Sequence, residues 1–346
     1  MKEQFLVGVI CQTYNQSAYI EDTMNGFTMQ KTSFPYVCCI MDDASTDGEP
    51  EIIQNYLDEK FDLSDHSVAK QKETSDYIFC FAQHKINKNC YFAVFFLKYN
   101  HYSIRKRKGP YYDYLLKDVE YIALCEGDDY WIEKMKLQKQ VDFLNTNPDY
   151  TMCFHNAIEH FEYGNTKDRV FSNIKDREYS GIEIYKKWIV PTASVVFRIV
   201  IWESDLYKKV ISDQAFIYGD NPLFVTCACL GKIRGMSDIM SVYRRNKNSI
   251  THQHSYEKTR KRAYSHLEFY KIFGNKYKRT SLSLYSKALM VGFLKSIIDK
   301  ESHVRFDFLT ESLSSSVFLT IVAVIRIVRN KLQKKVRIYY DFIHSN

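Results

Sequence analysis

Apolar residues along this chain gather in short blocks, each ending in a polar turn. Phe5–Cys11 is almost wholly apolar and runs into Gln12-Thr13-Tyr14-Asn15. Such an unbroken run predicts a strand buried on both faces rather than an alternating edge strand. Ser17 stands where a cap is expected, and Ala18, Ile20, Met24 and Phe27 predict a helix reaching to about Gln30. Val37–Met41 is a second buried strand, ending in Asp42-Asp43-Ala44-Ser45-Thr46-Asp47, and a helix is expected over about Glu49–Tyr56. Strand, helix, strand, helix with short links predicts a parallel, doubly wound sheet.

Further strands are expected at Tyr77–Phe81, Tyr91–Leu97, Ile122–Cys125, Met152–His155 and Ser194–Arg198. Leu137, Val141 and Leu144 predict an amphipathic helix over Glu133–Asn145. Another helix is expected over about Asp220–Leu230, and residues 255–346 read as mostly helical. The fold class is therefore α/β, a mostly parallel mixed sheet flanked by helices, with a main domain over 1–254 and a helical extension over 255–346.

Composition narrows the chemistry. Glycine is scarce, at 12 of 346 residues, and neither GxGxxG nor GxxxxGK[ST] occurs, which removes the Rossmann-dinucleotide and P-loop readings. The nine cysteines lack metal or disulfide spacing, and several sit in apolar strands, where a thiol is a small hydrophobe. With no signal-peptide pattern ahead of the first strand, the expected compartment is the reducing cytosol. His252 and His254, two apart with no carboxylate pair nearby, do not form a metal motif.

Charge is uneven. Residues 241–346 carry 21 Lys and Arg against 7 Asp and Glu, or +14, whereas the first 240 residues sum to −7. Val317, Ile321, Val324, Ile325 and Val328 form an apolar stripe with basic residues around and after it. The charge-free run Ser312–Ile325 is 14 residues, short of the ~20 that span a bilayer. Two readings fit: a helix lying on an anionic membrane surface, or a terminal helix docked on the protein with a solvated basic face.

The candidate chemistry lies at strand ends. Glu126, Asp128 and Asp129 follow the buried run Ile122–Cys125, where open α/β sheets place ligand sites. Acids this close repel unless a cation separates them, and oxygen-only ligands beside a nucleotide suit Mg²⁺ or Mn²⁺. An acidic turn capping the next helix is the plainer alternative. In a parallel sheet this cluster, Asp42/Asp43/Asp47 and Thr13-Tyr14-Asn15 all face one crevice.

This combination resembles family 2 glycosyltransferases of GT-A fold, and Glu126-Gly-Asp-Asp-Tyr-Trp131 resembles a bacterial subgroup that builds cell-surface polysaccharide. The resemblance covers roughly residues 5–255. It implies a nucleotide-sugar donor, UDP-linked by default, transferred with inversion to a glycan or lipid-linked acceptor. Nucleic acid is not among the expected partners.

By the same resemblance, Thr13, Tyr14, Asn15, Asp42, Asp43, Glu126 and Asp128 meet the donor nucleotide. Asp128 or Asp129 holds a divalent metal, Mn²⁺ or Mg²⁺. Asp220, in Tyr218-Gly-Asp-Asn-Pro-Leu223, matches the catalytic base, although it would also serve as a helix cap. Trp131 and His155 are candidate acceptor contacts, with plain core packing as the alternative for each. Glu126 and Gly219 depart from the family pattern. No Gln-x-x-Arg-Trp motif occurs, so addition of one sugar is expected rather than polymer extrusion. Two rivals are a sugar-1-phosphate nucleotidyltransferase, whose glycine-rich loop is missing here, and a non-catalytic glycan-binding protein of the same fold.

Overall fold

A computed structural model describes residues 4–65, 69–164, 166–213, 215–216, 219–246, 255–299 and 302–325, together with 327 and 329. The chain divides into two compact units: Met1–Ser204 with Cys227–Lys247, and Asp205–Thr226 with Asn248–Asn346. The division falls inside the helix Asp220–Leu230, and residues 205–226 group with the C-terminal helices.

The first unit is built on a thirteen-stranded mixed sheet. In chain order the strands are β1 Val7–Thr13, β2 Tyr36–Asp42, β3 Phe61–Asp62, β4 Lys70–Glu73, β5 Tyr77–His84, β6 Cys90–Leu97, β7 Tyr121–Leu124, β8 Tyr130–Trp131, β9 Tyr150–Phe161, β10 Arg169–Val170, β11 Arg177–Tyr179, β12 Val196–Arg198 and β13 Lys232–Arg245. The order across the sheet is β11-β13-β9-β12-β7-β1-β2-β6-β5-β3. The middle four, β7-β1-β2-β6, run parallel. A second parallel pair, β13 with β9, lies toward one edge, and β12 joins the two groups antiparallel. This is the mixed α/β sheet that the apolar blocks predict.

Helices α1 (Ile20–Thr28), α2 (Glu49–Lys60) and α4 (Lys136–Thr146) cover one face, and α3 (Gly109–Leu116) lies between β6 and β7 in sequence. Ile20, Met24 and Phe27 of α1, Ile53, Tyr56 and Leu57 of α2, and Leu137, Val141 and Leu144 of α4 form one core with Val7, Val9, Cys11, Cys38 and Ile40. Leu116 of α3 presses on Gly8 from the other side, so closely that a Cβ there would collide. Burial on both faces is why β1 and β2 are apolar throughout.

Two local expectations change. Ser17 does not cap α1, which starts after Tyr19 without a side-chain cap; the Ser17 N–H instead donates to Asp47 Oδ2 at 2.9 Å. The region after residue 230 contributes β13, a long strand where none was expected. All nine cysteines are unpaired, eight of them buried.

The second unit is helical: Asp205–Ser212, Tyr256–Phe273, Lys278–Ile298, Ser302–Ser315 and Val317–Ile325. Ala263, Tyr285, Leu289 and Phe308 form its centre. No single helix among the described residues is long and apolar enough to cross a membrane. Asp307–Ser315 and Val317–Ile325 meet at a bend of 118°. His252, His254, and the basic residues Arg326, Lys331, Lys334, Lys335 and Arg337 lie outside the described residues.

Candidate active site

Because β7, β1 and β2 are neighbours and parallel, their carboxyl ends open on one edge, and the three polar turns meet there. The first turn is stitched to the second. Asn15, in the left-handed region at φ 53°, donates its N–H to Ser45 Oγ (2.9 Å), and its Oδ1 accepts the Thr46 N–H (2.8 Å). Glu49, at the start of α2, is wholly buried between them. Its carboxylate takes the Thr13 hydroxyl, the Gln16 N–H (2.9 Å) and the Ser45 hydroxyl (2.8 Å). Burial raises its pKa, and these donors oppose that shift. Glu49 was not foreseen as a site residue; an acid opening a helix reads as dipole compensation and no more. Tyr14 projects beside this knot, 42% exposed.

Asp42 and Asp43 are both buried, with different partners. Asp42 accepts only long bonds from the Ser45 N–H, at 3.3 and 3.4 Å, and burial lifts its pKa to about 6. Asp43 is engaged by the chain itself. It accepts the His101 N–H (2.7 Å) and the Tyr102 N–H (3.1 Å), and it pairs with Lys108 Nζ at 2.7 Å. Through these contacts Asp43 anchors the basic loop 99–108. Lys108 also reaches Gln12 Oε1 at 3.5 Å, which brings one of its charges to the crevice.

The third turn sits against the first through Gly127. Its N–H donates to the Gln12 carbonyl (3.1 Å), and a Cβ there would strike Thr13 Oγ1. Thr23 of α1 secures the loop from below, its hydroxyl lying 2.8 Å from Gly127 O and 2.7 Å from Asp129 O. The three acids end in different environments. Glu126 is exposed and Asp128 half-buried, whereas Asp129 is buried with Oδ1 accepting the Arg244 N–H at 2.9 Å. Burial raises the pKa of both aspartates, and in Asp129 the neighbouring Asp128 charge adds to it.

Strand β13 supplies what the sequence did not disclose. Arg244 pairs with Asp22 and Glu162 and lies over the Tyr130 ring, 4.5 Å from its centroid. Asn246 is buried and donates from Nδ2 to Asp128 Oδ2 at 2.9 Å, across 118 residues of sequence. Its Oδ1 and Asp129 Oδ2 are buried and have no hydrogen-bond partner among the described residues.

Trp131 and His155 are corrections. Trp131 is 1% exposed; its Nε1 donates to the Ala193 carbonyl (2.9 Å) and Lys136 Nζ covers its ring at 4.1 Å. His155 is wholly buried, Nδ1 lies 2.8 Å from Asn156 O, and burial depresses its pKa. Neither surface is open to a sugar; both residues are core. Asp220 belongs to the second unit, where it opens the helix Asp220–Leu230 and its carboxyl is raised by burial.

Among the described residues no three His, Cys, Asp or Glu side chains gather into a self-contained metal site. The donors present still suit a cation that takes one or two carboxylates and fills its shell from substrate phosphates and water. Asp128 is half-buried at the strand ends, and Asp129 Oδ2 is a buried oxygen without a hydrogen-bond partner among the described residues.

A doubly wound sheet with clustered acids at its switch-point edge defines an α/β nucleotide-site architecture. Residues 9–72 match the family model described as Glycosyl transferase family 2. It is 30% identical over 247 residues to the uncharacterized protein Rv1520 of Mycobacterium tuberculosis, a match covering 71% of this chain and 60% of that relative's length. It is 31% identical over 140 residues to TuaG of Bacillus subtilis, a glycosyltransferase provisionally assigned to teichuronic acid biosynthesis, covering 40% of this chain and 42% of TuaG. Among solved structures, S. aureus TarS 1–349 in complex with UDP is similar at a TM-score of 0.48 and 14% identity, covering 94% of this chain and 91% of that one. The mannosyltransferase PcManGT from Pyrobaculum calidifontis, in complex with GDP-Man and Mn²⁺, gives 0.48 and 12%, covering 95% and 89%.

Proposed function

We propose that this protein transfers a single sugar, with inversion, from a nucleotide-sugar donor to a glycan or lipid-linked acceptor in cell-surface polysaccharide assembly, on the cytoplasmic side. The observation that carries this reading is the convergence of Thr13, Asp42 and Asp128 at the carboxyl ends of three adjacent parallel strands. The family match supports sugar transfer, and the TuaG similarity supports a surface polymer as its context.

In this reading the turn Thr13–Asn15 and Asp42 receive the nucleoside. Asp42 is the stronger reader of a uracil edge, since the bonds its carboxylate accepts from the Ser45 N–H are long, at 3.3 and 3.4 Å. Once ionised it accepts from an N–H or a hydroxyl and donates nothing. Glu126, exposed at the rim, suits a ribose hydroxyl. Asp128, with Asp129 behind it, would hold Mg²⁺ or Mn²⁺; bound there, the cation supplies neutralisation of the leaving diphosphate. As the acceptor oxygen attacks the anomeric carbon, the bond to the diphosphate oxygen breaks on the opposite face and the acceptor proton passes to a base, a role that the resemblance to family 2 glycosyltransferases gives to the position of Asp220. Burial strengthens Asp220 as a base relative to a solvated carboxylate.

Calorimetric titration of UDP into the purified protein, with Mn²⁺ and with EDTA, tests the donor site. UDP is expected to bind in Mn²⁺, to weaken in EDTA, and to weaken by roughly tenfold or more in Asp128→Ala. Binding of GDP in place of UDP would reassign the base. Binding of neither, with or without metal, would overturn the reading.

A further inference from the structure

The last described helix, Val317–Ile325, is seated by one side only. Thr320 and Ala323 are buried, Thr320 Oγ1 lies 2.8 Å from Ser312 Oγ, and Ala323 and Ile327 pack on Met290. The rest of the helix is apolar and open. Val317, Phe318, Ile321, Val324 and Ile325 are between 36% and 68% exposed. At about 100° per residue these five positions fall within one third of the helix circumference, beside the buried face rather than scattered around it. No charged residue occurs from Ser312 to Ile325, whereas residues 326–346 carry six Lys and Arg against one Asp.

We propose that this face is a docking surface for an anionic lipid bilayer, into whose interface the five side chains insert. The surface lies along a helix rather than at a span: no single helix among the described residues is long and apolar enough to cross a membrane, and the preceding helix leaves at 118°. Charge selects the occupant. An apolar strip followed at once by six cations gains from negative headgroups, at about one favourable step per cation near the surface, and the same cations repel a second copy of this chain. The proposal does not depend on the glycosyl-transfer reading, and its test uses no sugar or nucleotide.

Flotation of the full-length protein with vesicles of phosphatidylcholine alone, or of phosphatidylcholine mixed with phosphatidylglycerol, makes the comparison, alongside a Phe318→Ser/Ile321→Ser double variant. Both residues are exposed, so the variant should keep its helical circular dichroism and melting temperature. The wild type is expected to float with the anionic vesicles and not the neutral ones, to be released by high salt, and to lose roughly tenfold or more of its binding in the double variant. Equal binding by the double variant would mean that the basic residues act alone, and would overturn the proposal. So would failure to bind either vesicle. A dimer in light scattering that the double variant makes monomeric would give the face to a second copy, and removal of residues 330–346 unmasking vesicle binding would give it to the chain's own terminus; either result overturns the proposal.

Discussion

Asp42 and Asp43 are adjacent in sequence and buried alike, yet one holds two long bonds and the other three short ones, one of them to a lysine. That difference predicts opposite behaviour. Asp42 has a folded-state pKa of about 6, above the ~3.9 of an unfolded aspartate. The native state therefore holds this proton more tightly, and the stability so gained is lost as pH rises from about 4 through about 6. Asp42→Asn should then leave the protein as stable at pH 7 or stabler, by up to roughly 3 kcal/mol, while weakening UDP binding. UDP affinity of the wild type should climb between pH 5 and 7 as the carboxylate ionises, and calorimetry across that range checks the sign. Asn246→Leu should weaken Mn²⁺-dependent UDP binding by roughly tenfold through loss of the bond to Asp128; unchanged affinity would make Asn246 a packing residue. The side-chain chemistry of Asp42, Asp128 and Asp129 was legible because it lies at the ends of apolar runs. Asn246 was not, because its partner is 118 residues away. Trp131 and His155 misled because residue type says nothing of access: one is covered by Lys136, the other enclosed by β9 and its neighbours.

Among the elements, β1, β2 and β7 declared themselves by burial on both faces. Strand β13 did not. Its Lys232, Ser237, Asp238, Arg244 and Arg245 break any apolar run, and its register against β9 shifts three times, so no period of two survives in the sequence. The loop 99–108 is rich in basic residues, and Asp43 and Asp76 tie it down through Lys108 and Lys106. Asp43→Ala should free it, and trypsin should then cut between Arg105 and Lys108 markedly faster than in the wild type. An unchanged cleavage rate would show that Asp76 and the His101–Tyr111 contact, at 2.7 Å, suffice to hold the loop.

At the scale of the whole molecule, the chain leaves the first unit after Ser204 and returns at Cys227. Within the second unit, the helix Asp205–Ser212 packs on Tyr256–Phe273, and Phe216 meets Phe269 at 6.2 Å between ring centroids. A protein truncated to residues 1–254 should therefore expose Val210 and Phe216, and size-exclusion chromatography is expected to show aggregation rather than a clean monomer.

Strand β13 also sets an order of events on the ribosome. Synthesis runs from the amino terminus, and the segment matched to the family, residues 9–72, emerges early and carries Thr13, Asp42 and Glu49. Asp128 and Asp129 follow, but their partners Arg244 and Asn246 come last of all. Until they appear, β9 lacks the neighbour it pairs with in parallel, and Asp128 and Asp129 lack the bonds from Asn246 and the Arg244 N–H, so the sheet of the first unit closes only after residue 246 has been made.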